Sequence, residues 1–222
     1  PRVELVTTPA ERPAYPAAPR LDLVDDMHGV LVPDPYRWLE DDTDERTIAW
    51  VDTQRALMAD ERATWQSRDH FTERVEALLG AGTISPPYWR GERYFLVRRE
   101  PGQQFSVLYA IDPDGTEHVL IDPMQIDPEG LTTLDSWQPS KEGDRLAYQL
   151  SVGGDEESLV HVMDVATGET IEGPIDRCRY SPIAWLPGGE AFYYVRRIAP
   201  DLLPESEQNF HRRLYPHRPG TN

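Results

Sequence analysis

The stretch "WQPSKEGDRLAYQL", Trp137 to Leu150, runs from a tryptophan through a Gly-Asp turn into a strand that carries an aromatic residue. It has two relatives in the same chain, "WRGERYFLV" at 89–97 and "WLPGGEAFYYV" at 185–195. Trp89, Trp137 and Trp185 stand 48 residues apart at each step. Between them, "LYAIDPDGTEHVLID" (108–122) and "VHVMDVATGETIEGP" (160–174) each give a strand, an Asp-led turn that ends in glycine, and a second strand. Each unit thus supplies about four short strands, and such a unit recurring every 40–50 residues is the mark of a β-propeller blade. Stacked sheets cover faces that one sheet cannot bury alone.

The units begin near residues 83, 133 and 180, and the third stops at Asn222 short of a fourth strand. Propellers close with roughly four to eight blades, so the sequence reads as the front part of a longer protein, or as a chain that pairs with its remainder. Within the first unit, the runs Tyr94 to Val97, Ser106 to Ile111 and His118 to Ile121 have strand composition. The "DPDG" at 112–115 joins the last two as a hairpin; a calcium loop would need glycine at its sixth position and a distant glutamate.

Upstream of residue 81 the texture differs. Residues 1–20 carry prolines at 1, 9, 13, 16 and 19 and read as an extended arm that needs a surface to lie on. From Thr43 to about Gln66 there is no Gly or Pro, and Ile48, Val51, Met58 and Trp65 recur at helical spacing; Asp42-x-x-Glu45 reads as the capping box of that helix. A second helix is expected from about His70, with Phe71, Val75, Leu78 and Leu79 on one face, Asp69 as its cap and Gly80 as its stop. Between arm and helix, "DPYRWLEDD" (34–42) sets Tyr36 and Trp38 against a run of acids, the rim of a contact whose other side the local sequence does not supply.

Composition narrows the function. The 222 residues are 39% hydrophobic and carry a formal charge of −17, which repels phosphates and anionic lipid heads and argues against a nucleic-acid partner. No stretch reaches the roughly 18 apolar residues of a membrane helix, and the Pro-, Arg- and Glu-rich start lacks the apolar core of a signal peptide; no membrane association and a cytoplasmic location are the expectation. Cys178 is the single cysteine and reads as a small buried hydrophobe. The six histidines, His28, His70, His118, His161, His211 and His217, fit no metal pattern, so neither metal nor cofactor is expected. No Gly-x-Ser-x-Gly elbow is present, and Ser85 and Ser181 lie in turn or strand contexts with no base implied nearby.

From Val24 to Thr221 the chain resembles the N-terminal part of the prolyl oligopeptidase family of serine peptidases. The resemblance rests on "DDMHGVLVPDPYRWLEDDTDERTIAWVDTQ" (25–54), "LAYQLSVGG" (146–154), "RYSPIAWLPGGEAFYYVRR" (179–197) and the tail Tyr215-x-His217-x-x-Gly220-Thr221. It implies a mainly β protein: a helical N-terminal extension over 1–80, with arm and two helices, then blades 1, 2 and part of 3 of a seven-bladed propeller over 81–222. It also implies that the extension packs, through Tyr36 and Trp38, on a C-terminal α/β-hydrolase domain missing from this sequence, and that the propeller caps an active site acting on peptide substrates. The Ser-His-Asp triad and oxyanion hole of that chemistry cannot be placed on these residues.

One role carries over. Before the Ser181-x-x-Ala184-Trp185 strand the family has an aromatic residue that contributes to the substrate cavity, and here that position is Tyr180. Filling the seam between two blades is its other available role. The family's Gly-Ser-Asp-Trp turn reads Gly154-Asp155-Glu156-Glu157, without the tryptophan, which leaves cleavage after proline open. The function implied is the N-terminal and propeller portion of a serine peptidase that admits short peptides and excludes folded proteins. A non-enzymatic propeller that binds partners through its faces is the alternative.

Overall fold

The computed structural model describes residues 13–221. Pro1 and Pro9 of the arm lie outside them. The chain divides into two compact units between Val75 and Glu76.

The first unit opens with a hairpin of β1 (Val24–Met27) and β2 (Val30–Pro33). His28 and Gly29 turn it, with φ of 56° and 85°; both positive values suit the two-residue turn whose twist matches paired strands. A 3-10 turn at Arg37–Glu40 leads into α1 (Glu45–Ala63), and α2 (Arg68–Leu79) follows.

Both helix starts differ from the sequence reading. Asp44 caps α1, accepting from the Arg46 N–H at 2.8 Å, so the Asp42–Glu45 capping box does not form and the helix runs 45–63 rather than 43–66. The reason is local: Asp41 accepts from both the N–H (2.9 Å) and the hydroxyl (2.7 Å) of Thr43, which holds Thr43 in a turn outside the helix. In α2, Asp69 is already helical and is not the cap. Gly80 does close it, its N–H donating to the Glu76 carbonyl at 2.7 Å.

Trp38 is likewise corrected. Its cover comes from its own unit: the indole Nε1 donates to the Pro19 carbonyl at 2.9 Å, its ring meets Trp50 edge-on at 6.3 Å, and 7% of the residue stays exposed. The arm is the surface the sequence could not supply, because Pro16, Ala17, Pro19 and Leu21 lie with Trp38 and Trp50 around one apolar hollow. Tyr36 stays open, its hydroxyl accepting from Arg20 at 3.0 Å.

The second unit holds three antiparallel sheets. In the first, β3 (Thr83–Ile84) and β4 (Tyr88–Arg90) pair with the two halves of β5 (Arg93–Arg99), and β6 (Val107–Ile111) and β7 (Glu117–Ile121) follow. After a short helix, α3 (Pro123–Ile126), the second sheet runs β8 (Thr132–Pro139), β9 (Arg145–Val152), β10 (Leu159–Asp164), β11 (Thr170–Ile175) in chain order. The third has β12 (Ile183–Trp185), β13 (Phe192–Arg197) and β14 (Arg212–His217).

The register explains the repeat. Trp89 pairs with Tyr94, Trp137 with Tyr148 and Trp185 with Phe192, so tryptophan and aromatic are cross-strand partners in all three sheets. Asp112 and Asp164 take matching ion pairs, from Arg93 at 3.0 Å and from Arg145; Ala191 stands at the third position. The 112–115 turn is a hairpin, with Asp112 N–H on the Thr116 carbonyl at 3.0 Å.

Alternation along β9 and β10 then builds two seams. Leu146, Tyr148 and Met163 join Phe95, Leu108 and Ile121 of the first sheet, while Ala147, Val160 and Val162 join Trp185, Phe192 and Tyr194 of the third. Successive side chains of a strand point to opposite faces, so the middle sheet is buried on both. The seams also bring turns together: a Cβ on Gly91 would sit 2.2 Å from the Glu142 carbonyl, which requires glycine there.

Candidate functional site

The segment that enters β12 is pinned from both sides. Ser181 is buried; its N–H donates to the Cys178 carbonyl at 2.9 Å, its hydroxyl accepts from the Val195 N–H at 2.8 Å, and its carbonyl accepts from the Gln149 amide at 2.8 Å. This anchorage leaves Tyr180 at φ 52°, a left-handed conformation that non-glycine residues rarely adopt, with its side chain directed outward. Tyr180 is 63% exposed, and the seam beside it is filled by Trp185, Phe192 and Tyr194.

Tyr180 borders a cleft of about 510 Å³, together with Asp135 and Ser136 of β8, Gln149, Glu156 and Pro182. Glu156, also left-handed at φ 59°, comes from the loop between β9 and β10. The Tyr180 hydroxyl and the Arg179 guanidinium both donate to Oε2 of Glu156. The Tyr180 hydrogen bond, followed by that from Arg179, holds the Glu156 carboxyl below the usual carboxylate range. Arg179 and Arg212 stand 5.2 and 6.0 Å from the centre of the Tyr180 ring. Next to it, Glu157 pairs with Arg197, and Asp135 accepts hydroxyl hydrogens from Ser158 at 2.6 Å and Thr133 at 2.8 Å.

The site can bind but holds no reactive pair. Ser85 and Ser181 do the same structural work, each hydroxyl accepting a strand N–H, from Val97 at 3.1 Å and Val195 at 2.8 Å. Cys178 is buried and its thiol is pushed up to about 12 by desolvation, so it packs rather than reacts. His118 pairs with Asp112 at 2.8 Å and His217 with Glu172 at 3.3 Å; His161 stacks on Tyr148 at 5.2 Å, and burial lowers its pKa. Among the described residues no three His, Cys, Asp or Glu side chains gather as metal donors, and no helix is long and apolar enough to cross a membrane.

The residue that sequence reasoning did not single out is Glu156. The only signal was the departure from Gly-Ser-Asp-Trp at 154–157, which marks the loop as unusual without showing what its acids touch.

Three successive antiparallel sheets, stacked through two apolar seams and preceded by a helical unit, define a run of β-propeller blades. Residues 16–222 match the family described as prolyl oligopeptidase, N-terminal beta-propeller domain, and the chain belongs to that family. It is 32% identical over 180 residues to a prolyl endopeptidase of Elizabethkingia meningoseptica, covering 81% of this chain and 25% of the relative. With a prolyl endopeptidase of Elizabethkingia miricola the identity is 31%, over 93% of this chain and 29% of the relative. The chain thus spans between a quarter and a third of these relatives' length. A solved structure from a study of two prolyl endopeptidases and the role of inter-domain dynamics in catalysis and specificity superposes with a TM-score of 0.83 at 30% identity, over 94% of this chain and 31% of that one. Prolyl oligopeptidase B from Galerina marginata, bound to a 35mer hydrolysis and macrocyclization substrate, shares the fold at a TM-score of 0.76 and 23% identity, over 93% of this chain and 32% of that one.

Proposed function

We propose that this chain is the N-terminal and propeller portion of a serine-type oligopeptidase, and that its task is to gate access of short peptides to an active site on a C-terminal α/β-hydrolase domain. The observation that carries the reading is the match of residues 16–222 to the propeller domain of a peptidase family. The relatives are prolyl endopeptidases, which favours the peptidase over a non-enzymatic scaffold. The triad and oxyanion hole belong to the catalytic domain in this reading, and the blades admit only chains narrow enough to pass. The enzyme works in the cytoplasm.

Two further assignments follow. Tyr180 supplies an aromatic contact to the bound peptide, supported by its exposure beside the cleft. The exposed apolar side chains of the helical unit, Ile48, Met58 and Phe71 among them, are the surface that the catalytic domain covers, with Tyr36 at the rim and Trp38 acting from beneath through the arm it holds. Preference for proline is the relatives' property, and the Gly154-Asp155-Glu156-Glu157 turn, which lacks the tryptophan of the family's Gly-Ser-Asp-Trp, leaves it open for this enzyme.

Tyr180→Ala in the full-length enzyme tests the reading. Loss of one aromatic contact, worth roughly 1 to 3 kcal/mol, should raise KM for a four-residue peptide more than for a two-residue one, with little change in melting temperature. An unchanged KM with a lower melting temperature would move Tyr180 into the packing.

A further inference from the structure

Glu156 belongs to neither apolar seam, yet its environment is specific. Its carboxylate receives the hydroxyl hydrogen of Tyr180 and a guanidinium N–H of Arg179 on the same oxygen, across a sequence separation of 24 and 23 residues. It does so from a left-handed backbone at φ 59°, facing a Tyr180 that is left-handed at φ 52°. Two such conformations at non-glycine residues each cost free energy and persist where the surroundings hold them in place. The glycines before Glu156, Gly153 and Gly154, have φ of 66° and 75° and nothing within 4 Å of a notional Cβ, so the loop is held by polar contacts, the Gly153 N–H on the Leu131 carbonyl at 2.9 Å and Glu157 on Arg197 among them. The contact to Tyr180 and Arg179 ties the 153–157 loop of the second sheet to the entry of the third.

The geometry points to Glu156 as the positioning residue of the cleft: it fixes the Tyr180 ring so that the ring's apolar face, and not its hydroxyl, is what a bound peptide meets. The hydroxyl is already used, because its hydrogen lies on Glu156. A peptide then gains from stacking an apolar side chain or a prolyl ring on Tyr180, and a peptide carbonyl gains nothing from the phenol, whose one hydrogen is already donated. Arg179 shares the same oxygen and closes the triangle, so loss of the carboxylate frees both the tyrosine and a guanidinium beside the cleft.

This inference rests on the substrate role proposed for Tyr180, and the test separates the two. In the full-length enzyme, KM and kcat are measured with a two-residue and a four-residue proline peptide for Tyr180→Ala, Tyr180→Phe, Glu156→Gln and the Tyr180→Phe/Glu156→Gln double variant, with a melt of each. Tyr180→Ala should raise KM for the longer peptide most. Glu156→Gln and Tyr180→Phe should each raise it about threefold to tenfold, in line with loss of one charge-assisted hydrogen bond partly screened by water. The double variant should be no worse than Tyr180→Phe alone, because Glu156→Gln leaves a neutral acceptor and weakens the same contact that Tyr180→Phe removes. Glu156→Asp, which keeps the charge on a shorter arm, should recover part of the loss. If Tyr180→Ala raises KM but Glu156→Gln and Tyr180→Phe do not, or if their effects multiply, the positioning role is wrong while the substrate role stands. If Tyr180→Ala leaves KM unchanged, both fail. Equal effects on both peptides with a lowered melting temperature would make the contact merely structural.

Discussion

The two units place their apolar side chains in opposite ways. In the blades, Phe95, Leu108, Val160, Val162 and Phe192 are fully buried, and strand alternation sends consecutive residues of β9 into two different seams. Among the described residues of the helical unit, Trp38 is the buried apolar side chain, while Ile48, Met58, Trp65 and Phe71 face outward. A sheet stacked between two neighbours completes its own core, whereas two helices in sequence leave a stripe that needs another surface. The blades therefore bury their apolar side chains among themselves, and the helices leave theirs exposed.

The sharpest way to break this contrast is a matched pair of truncations. Phe192→Ala opens a cavity between the second and third sheets and should cost about 3 to 5 kcal/mol. Phe71→Ala, on an outward face of α2, should change the stability of the 222-residue chain by less than about 0.5 kcal/mol. Chemical denaturation of both variants decides it; comparable losses would mean that the helical face is already covered. A smaller effect sharpens the picture inside the helical unit. Trp38→Phe keeps most of the ring but removes the bond to the Pro19 carbonyl, a loss of about 0.5 to 1.5 kcal/mol. It should raise proteolysis within the arm before the blades are touched, and an unchanged cleavage pattern would show that Trp38 does not hold the arm.

The smallest effect is the pH dependence of the Glu156 contact. Its carboxyl is held below the usual value of 4.5 by Tyr180 and then Arg179. A carboxyl whose pKa is depressed by folding stabilises the fold above its unfolded value, and that contribution fades as pH falls through the folded one. The melting temperatures of the parent and Glu156→Gln should therefore differ near pH 7 and draw together as pH falls below the usual 4.5 and through the depressed folded value. A gap that persists into acid would assign it to something other than the charge.

What the sequence made legible follows the range of each interaction. Trp89, Trp137 and Trp185 announced three sheets because their partners Tyr94, Tyr148 and Phe192 lie within a single hairpin, so the pattern repeats inside a short window. The Asp112 turn was readable for the same reason. The start of α1 slipped by two residues because Asp41, Asp42 and Asp44 all suit a cap, and only the Thr43 turn chooses among them. Trp38's cover was out of reach: its partner is a backbone carbonyl 19 residues back, in an arm with no periodicity. Tyr180 could be named from a resemblance, but Glu156 could not, since their contact depends on how one blade sets its loop against the next.

These residues are proposed to gate a peptidase rather than to form a propeller that only binds. The most direct measurement is hydrolysis of a chromogenic proline-containing peptide by the protein expressed from its complete reading frame, beside residues 1–222 alone. Turnover is expected from the complete protein, abolished by a serine-directed phosphonylating reagent, and none from the 222-residue chain above a buffer control. A complete protein that binds the peptide without cleaving it, or a 222-residue chain that cleaves it unaided, would contradict the account.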